Sequence, residues 1–306
     1  MPTTDQYLAD LASNLAGGDA TEHTHRPALQ NWLQSFGSGI TATNEPKQSE
    51  NNAPDFDVKA KRRHGTLTLG KIEAKDVGIS PGLKDIEADS EREIPRTKNG
   101  QQLRRYRKAF PNLLLTDYVE FRWYRNGALK LTASLGRVDG DHVVLTPTSR
   151  SEVEALVKGF LAEPPERIST APALARRMAA IAAVIHDVIQ HSFASATASD
   201  TTTGLLMAFR DTLVPDLTED QFADMLAQTI AYGLFAARVQ HDGQTAFTRE
   251  KAAAFIPKTN PFLRGLFAHV SGPTLSDEPY AGTVDDLAQL LHDADIDKVL
   301  ANFGAD

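Results

Sequence analysis

The chain has 306 residues, of which 41% are hydrophobic and 24% charged; its formal net charge is −8 and it contains no cysteine. This is the composition of a globular chain of about two domains, without an apolar run long enough to span a bilayer. The missing cysteines exclude disulfides, zinc–thiolate sites and cysteine nucleophiles, and fit a cytoplasmic protein.

Residues 1–18 lack the basic-then-apolar layout of a secretory signal. Helical spacing of Tyr7, Leu8, Leu11 and Leu15 predicts a first helix, ended by Gly17-Gly18. Leu29, Trp32, Leu33 and Phe36 form the apolar stripe of a second, over 24–36. A short strand is expected over 40–43, then a polar, turn-rich stretch over 45–52. Alternation over 56–61 and again over 65–74, around the polar turn Arg62-Arg63-His64-Gly65, reads as a β-hairpin. Residues 77–94 are mixed, with Ser80-Pro81-Gly82 as a turn. Lys98-Asn99-Gly100 reads as another break, and 101–109 as a helix. Leu113-Leu114-Leu115-Thr116 is a buried-type strand. Residues 119–125 and 128–135 are strands joined by Asn126-Gly127, a strong hairpin turn.

After Ser151 the pattern turns helical, over 152–161, 171–192, 201–213, 218–239 and 284–303. Thr218 and Gln221 form a capping-box pair. The expected fold is α/β, a mixed central sheet flanked by helices over 1–150, followed by an all-α domain over 151–306. Charge divides the same way. The first 150 residues carry 21 basic and 19 acidic side chains, the rest 11 and 21. Local patches govern binding more than the total does. Arg96, Lys98, Arg104, Arg105, Arg107 and Lys108 form a run with no acid among them, suited to a solvated helix face or to phosphate.

Chemistry concentrates at Pro54-Asp55 and Ile72-Glu73-Ala74-Lys75. Residues i and i+2 of a strand share a face, so Glu73 and Lys75 project together, and a hairpin brings Asp55 to them. Two carboxylates and an ammonium at one point suit a magnesium site for phosphodiester hydrolysis. Asp57 shares the strand face of Asp55 and competes with it as a ligand. Asp76 is expected to face away. Other candidates are weaker. His23 and His25 lack further ligands, and His186 and His191 lie five apart, off a common helix face. There is no P-loop and no Gly-x-Ser-x-Gly.

These pieces, in order, resemble the PD-(D/E)XK nuclease superfamily. They are Glu22-His23-Thr24-His25-Arg26-Pro27-Ala28-Leu29, Pro54-Asp55-Phe56, Ile72-Glu73-Ala74-Lys75, Gln102-Leu103-Arg104-Arg105-Tyr106 and Asn112-Leu113-Leu114-Leu115-Thr116-Asp117. The order is similar to the N-terminal nuclease region of single-chain restriction–modification enzymes, whose nuclease and adenine methyltransferase share one polypeptide. Phe222-Ala223-Asp224-Met225-Leu226-Ala227-Gln228-Thr229 and Thr259-Asn260-Pro261-Phe262-Leu263 resemble their helical connector. The resemblance implies that Asp55 and Glu73 hold Mg2+ with the Ala74 carbonyl and that Lys75 orients the attacking water; Glu22 either completes the metal shell through water or is a plain acid favoured by the dipole at a helix N-terminus. It also implies that Gln102 and Tyr106, four apart on one helix face, contact double-stranded DNA beside the basic Arg104 and Arg105; the alternative for this pair is a packing tyrosine with a solvated glutamine.

The chain departs from that pattern in lacking a glycine-rich cofactor loop, and Asn260-Pro261-Phe262 lacks the second proline of a methyltransferase motif. A methyltransferase domain or subunit outside this chain is therefore expected, with the chain itself a fragment or a separate N-terminal part. The rival readings are a catalytically inactive DNA-binding or coupling module and a stand-alone repair or defence nuclease.

Overall fold

The computed structural model describes residues 3–44, 53–62, 65–77, 97–139, 142–146, 148–162, 167–212, 214–243, 245–255, 265, 267 and 272–301. The expected turn at Ser80-Pro81-Gly82, the polar stretch 45–52, His64 and the segment Thr259 to Leu263 lie outside them. The chain divides into two compact units, residues 1–46 with 54–166, and residues 47–53 with 167–306.

The first unit is built on a six-stranded sheet. In chain order it contains α1 (Thr4–Ala16), α2 (Glu22–Ser35), β1 (Ile40–Asn44), β2 (Phe56–Arg62), β3 (Gly65–Ala74), α3 (Lys98–Ala109), β4 (Asn112–Thr116), β5 (Glu120–Arg125) and β6 (Ala128–Ser134). The strands lie in sequence order, antiparallel throughout except for the parallel pair β3 and β4, whose crossover carries α3. A separate hairpin of β7 (Gly136–Asp139) and β8 (His142–Leu145) follows, then α4 (Ser149–Ala162). A mixed sheet flanked by helices, with a helical region after it, is the expected fold class.

Local sequence explains these elements. All five residues of β4 are buried, as a central strand covered on both faces requires. Asn126 and Gly127 both take positive φ, 50° and 84°, the backbone of the tight turn between β5 and β6. The β2–β3 ladder pairs Phe56 with Ile72 and Asp57 with Lys71, and a bulge interrupts it between Val58 and Lys59. On one sheet face, Ile72, Ala74, Leu114 and Phe121 join a core with Tyr7 of α1, Trp32 of α2 and Phe160 of α4. Tyr7 stacks on Trp32 at 4.7 Å. Buried Asn112 donates to the carbonyls of Leu69 (2.7 Å) and Phe160 (3.0 Å) and accepts from the Trp123 indole (2.6 Å), so it pins α4 to the sheet. The helix that opens the helical run after Ser151 thus belongs to the core of the sheet.

Two local expectations are corrected. Lys98-Asn99-Gly100 is the first turn of α3, because Thr97 caps it by accepting the Gly100 N–H at 3.0 Å. The single helix expected over 284–303 is two, Ala281–Asp293 and Ile296–Ala301. Ala294 between them is extended (ψ 145°), and the Asp295 N–H is taken by the Ile168 carbonyl.

The second unit is helical, with α5 (Ala171–Ala194), α6 (Asp200–Thr212), α7 (Glu219–Gln240), the short α8 (Arg249–Ala252) and the two helices just given. The Thr218–Gln221 capping box opens α7, and α5 packs along it. Phe222 to Thr229 lies within α7. Among the described residues no helix is long and apolar enough to cross a membrane.

Candidate active site

Lys71 and Glu73 project from β3 on the face opposite Ile72 and Ala74, toward the side that carries α3. Extending the β2–β3 register one step brings Asp55 beside Glu73. The Asp55 Oδ2 accepts the backbone N–H of Ala74 at 2.7 Å. The Lys75 N–H continues the ladder to the Thr116 carbonyl at 2.8 Å, and its Nζ lies 2.6 Å from Glu73 Oε1. Asp55, Glu73 and Lys75 therefore come together where β3 and β4 end.

Electrostatics reports the same crowding. Burial pushes the Glu73 carboxyl up to about 8, the Asp55 charge adds to this, and Lys75 opposes it. Burial raises Asp55 despite Arg26, the Ala74 amide and Lys75. For Lys75, burial disfavours the charge, but Glu73, Asp55 and Glu22 outweigh it and raise the ammonium above its ordinary value. A buried carboxylate pair that shares too little positive charge is the result. Glu73 Oε2 is buried and accepts no hydrogen bond. Buried acceptors are rarely left so, and a cation satisfies one well.

Arg26 was not singled out from the sequence, and the structure gives it a central place. Its guanidinium is 3% exposed, and one nitrogen, Nη2, reaches Asp55 Oδ1 at 2.5 Å and Glu22 Oε1 at 2.8 Å. Tyr118 braces it: the Tyr118 hydroxyl donates to the Glu22 carbonyl at 2.6 Å, and the Tyr7 hydroxyl donates to the Tyr118 carbonyl at 2.6 Å. Tyr118 is fully buried with φ 71°, a left-handed backbone that a bulky residue adopts only when its surroundings impose it. The signal for Arg26 was its place four residues after Glu22 on one helix face. Tyr118 gave none.

Asp57 is drawn off by lysines, with Lys59 at 2.6 Å and Lys71 at 3.2 Å. These two hold its carboxyl below the ordinary value in spite of burial. Asp76, expected to face away from the site residues, accepts the N–H of Glu22 at 2.8 Å and so tethers the start of α2 to the end of β3. Gln102 donates to the Tyr106 hydroxyl at 3.0 Å. Tyr106 is buried, and burial and the Glu73 charge both raise it, so α3 closes over the acidic cluster. Arg104 and Arg105 are half-buried on the same helix. His25 is buried against Tyr118, with ring centroids 5.1 Å apart, which is a packing role. His186 lies between Asp187 and Asp220, each at 3.2 Å, apart from His191.

Among the described residues no three His, Cys, Asp or Glu side chains are gathered as a ready metal cage. The donors at the site are two carboxylates, one with an unused oxygen, which suits a hard cation that keeps several of its own waters.

No protein-family model and no curated protein matches the sequence. Among solved structures, the chain is similar to one in the cryoEM structure of a DrdV–DNA complex. The identity is 17% and the TM-score 0.34, over 93% of this chain and 26% of that one. The chain thus spans about a quarter of that protein's length. A likeness this loose carries no argument, and the functional reading rests on the geometry above.

Proposed function

We propose that this chain is the magnesium-dependent DNA endonuclease module of a restriction–modification, phage-defence enzyme, acting on double-stranded DNA with a methyltransferase domain or subunit outside the chain. The observation that carries the reading is the meeting of Asp55, Glu73 and Lys75 at one strand end, with a buried, unused oxygen on Glu73. Asp55, Glu73 and the Ala74 carbonyl would hold Mg2+, with Glu22 at the rim. Bound there, the ion supplies Lewis-acid neutralisation of the scissile phosphate.

The chain's own groups do the rest. Lys75 orients the attacking water and offsets charge that develops on the phosphate. Glu73, 2.6 Å away, fixes the Lys75 ammonium. The Ala74 N–H fixes the Asp55 carboxylate. Gln102, Arg104 and Arg105 of α3 lie on the helix that covers the site and supply contacts to the DNA backbone, which carry affinity but not sequence. The helical unit serves as a connector.

The test is cleavage of supercoiled plasmid with magnesium by the wild type and by Lys75→Ala. The wild type nicks and the variant does not; equal nicking by both removes the role of Lys75. One observation favours a second reading, a DNA-binding module without catalysis: both oxygens of Asp55 already accept hydrogen bonds, one from Arg26. Plasmid binding by a gel shift with no cleavage at any magnesium concentration would establish that reading instead.

A further inference from the structure

The grip of Arg26 on Asp55 points to a function of its own. This inference rests on the magnesium reading above and concerns how the site exists without the ion. Asp55 and Glu73 are mostly buried and close enough to repel each other, and Lys75 pairs with Glu73. The positive charge placed directly on Asp55 comes from Arg26, one nitrogen of which serves Asp55 and Glu22 together. Glu22 is the more exposed of the two acids, 26% against 12%. It begins α2, where Asp76 and Tyr118 hold its backbone through the N–H and the carbonyl.

We propose that Arg26 is the resident countercharge of the site. It holds Asp55 in place in the metal-free protein, and it gives Asp55 up when a divalent cation binds by moving wholly onto Glu22. Two features of the arrangement support this. One guanidinium nitrogen, Nη2, reaches both carboxylates, so release of Asp55 can keep the ion pair with Glu22 intact. Arg26 is also 3% exposed, and a buried charge left without a partner is costly, so the guanidinium is held to the carboxylates of the cluster. Arg26 is thus a positioning residue that competes with the ion for Asp55. Glu22, in turn, is the acceptor that makes the exchange possible.

A structural brace and a competitor predict opposite results. Loss of a brace loosens Asp55 and weakens metal binding. Loss of a competitor leaves the acidic site one positive charge poorer and tightens it. The experiment is calorimetric titration of the full chain with magnesium chloride, without DNA, alongside melting of the metal-free protein. Arg26→Gln is expected to bind magnesium on the order of tenfold more tightly than wild type while melting at a lower temperature without metal. Arg26→Lys keeps the charge and stays close to the wild-type affinity. Equal or weaker binding by Arg26→Gln, with the wild type binding normally, overturns the proposal and leaves the magnesium site standing. No magnesium binding by the wild type overturns both. If Arg26→Gln does not fold, the arginine side-chain NMR signals of the wild type decide: those of Arg26 shift through the magnesium titration as the guanidinium leaves Asp55, and signals that do not move overturn the proposal.

Discussion

Glu73→Gln gives the sharpest stability test of the site. Folded Glu73 keeps its proton up to about pH 8, whereas an ordinary glutamate releases it near 4.5. Between these values the folded state binds more protons than the unfolded one, so this group makes stability fall as pH rises, and the full cost is reached above pH 8. Holding the proton over that interval, at about 1.4 kcal/mol for each pH unit, sets a ceiling of about 5 kcal/mol. For a unit of this size that is about 10–20 °C in Tm. Glutamine mimics the protonated acid. At pH 5 the variant and the wild type should melt together, and by pH 9, in chelator, the variant should melt higher. Thermal melts from pH 5 to 9 followed by tryptophan fluorescence read this directly, since Trp32 and Trp123 both lie in the core of the sheet. Parallel curves for the two proteins would refute the claim that burial and Asp55 hold a proton on Glu73.

Three further outcomes follow from the same structure. Lys75→Ala should lower plasmid nicking by about 100-fold or more, the loss typical when one preorganised charge-stabilising group is removed; Lys75→Arg, measured beside it, separates charge from placement. Asn112→Ala leaves the Leu69 and Phe160 carbonyls and the Trp123 indole without their partner. It should cost about 3 kcal/mol or more in urea melts, and a loss under 1 kcal/mol would contradict the pinning of α4. In the helical unit, the hydrogen bond to Asp187, together with the charges of Asp187 and Asp220, raises His186 above 6.5 against burial. Its contribution is fully present below pH 6.5 and fades as pH rises through the folded value, so His186→Gln should flatten that part of the stability profile; an unaltered profile argues against these ion pairs.

Much of this site was legible in the sequence, for a physical reason. A hairpin has a period of two, so Glu-x-Lys on one arm and Asp at the base of the other can be placed together without a structure. The competitor Asp57 could not be resolved that way. Its fate depends on Lys71, fourteen positions later, which is close only through the β2–β3 register. Tyr118 reaches the site from another element, and a tertiary contact of that kind leaves no local period; for Arg26 the spacing from Glu22 gave the shared helix face but not the reach to Asp55. The start of α3 was misread because Asn99-Gly100 is a turn signal in isolation, whereas the Thr97 hydroxyl makes the same residues a helix N-terminus. The split of the last helix has a similar origin, since the partner of Asp295 is Ile168, far off in sequence.

The bulge in the β2–β3 hairpin has a consequence for how this strand is written. Before it, the odd-numbered Leu67 and Leu69 of β3 turn toward the hydrophobic core; after it, the even-numbered Ile72 and Ala74 do so. Had the alternation run on unbroken, Lys71 and Glu73 would follow Leu69 into the apolar layer. The irregularity is thus a change of phase, which lets one strand serve as core packing at one end and as a charged face at the other. Straightening it by adding a matching residue between Val58 and Lys59 would leave the acids opposite each other but force the end of the hairpin at Leu67 and Leu69 to show the wrong face to its surroundings.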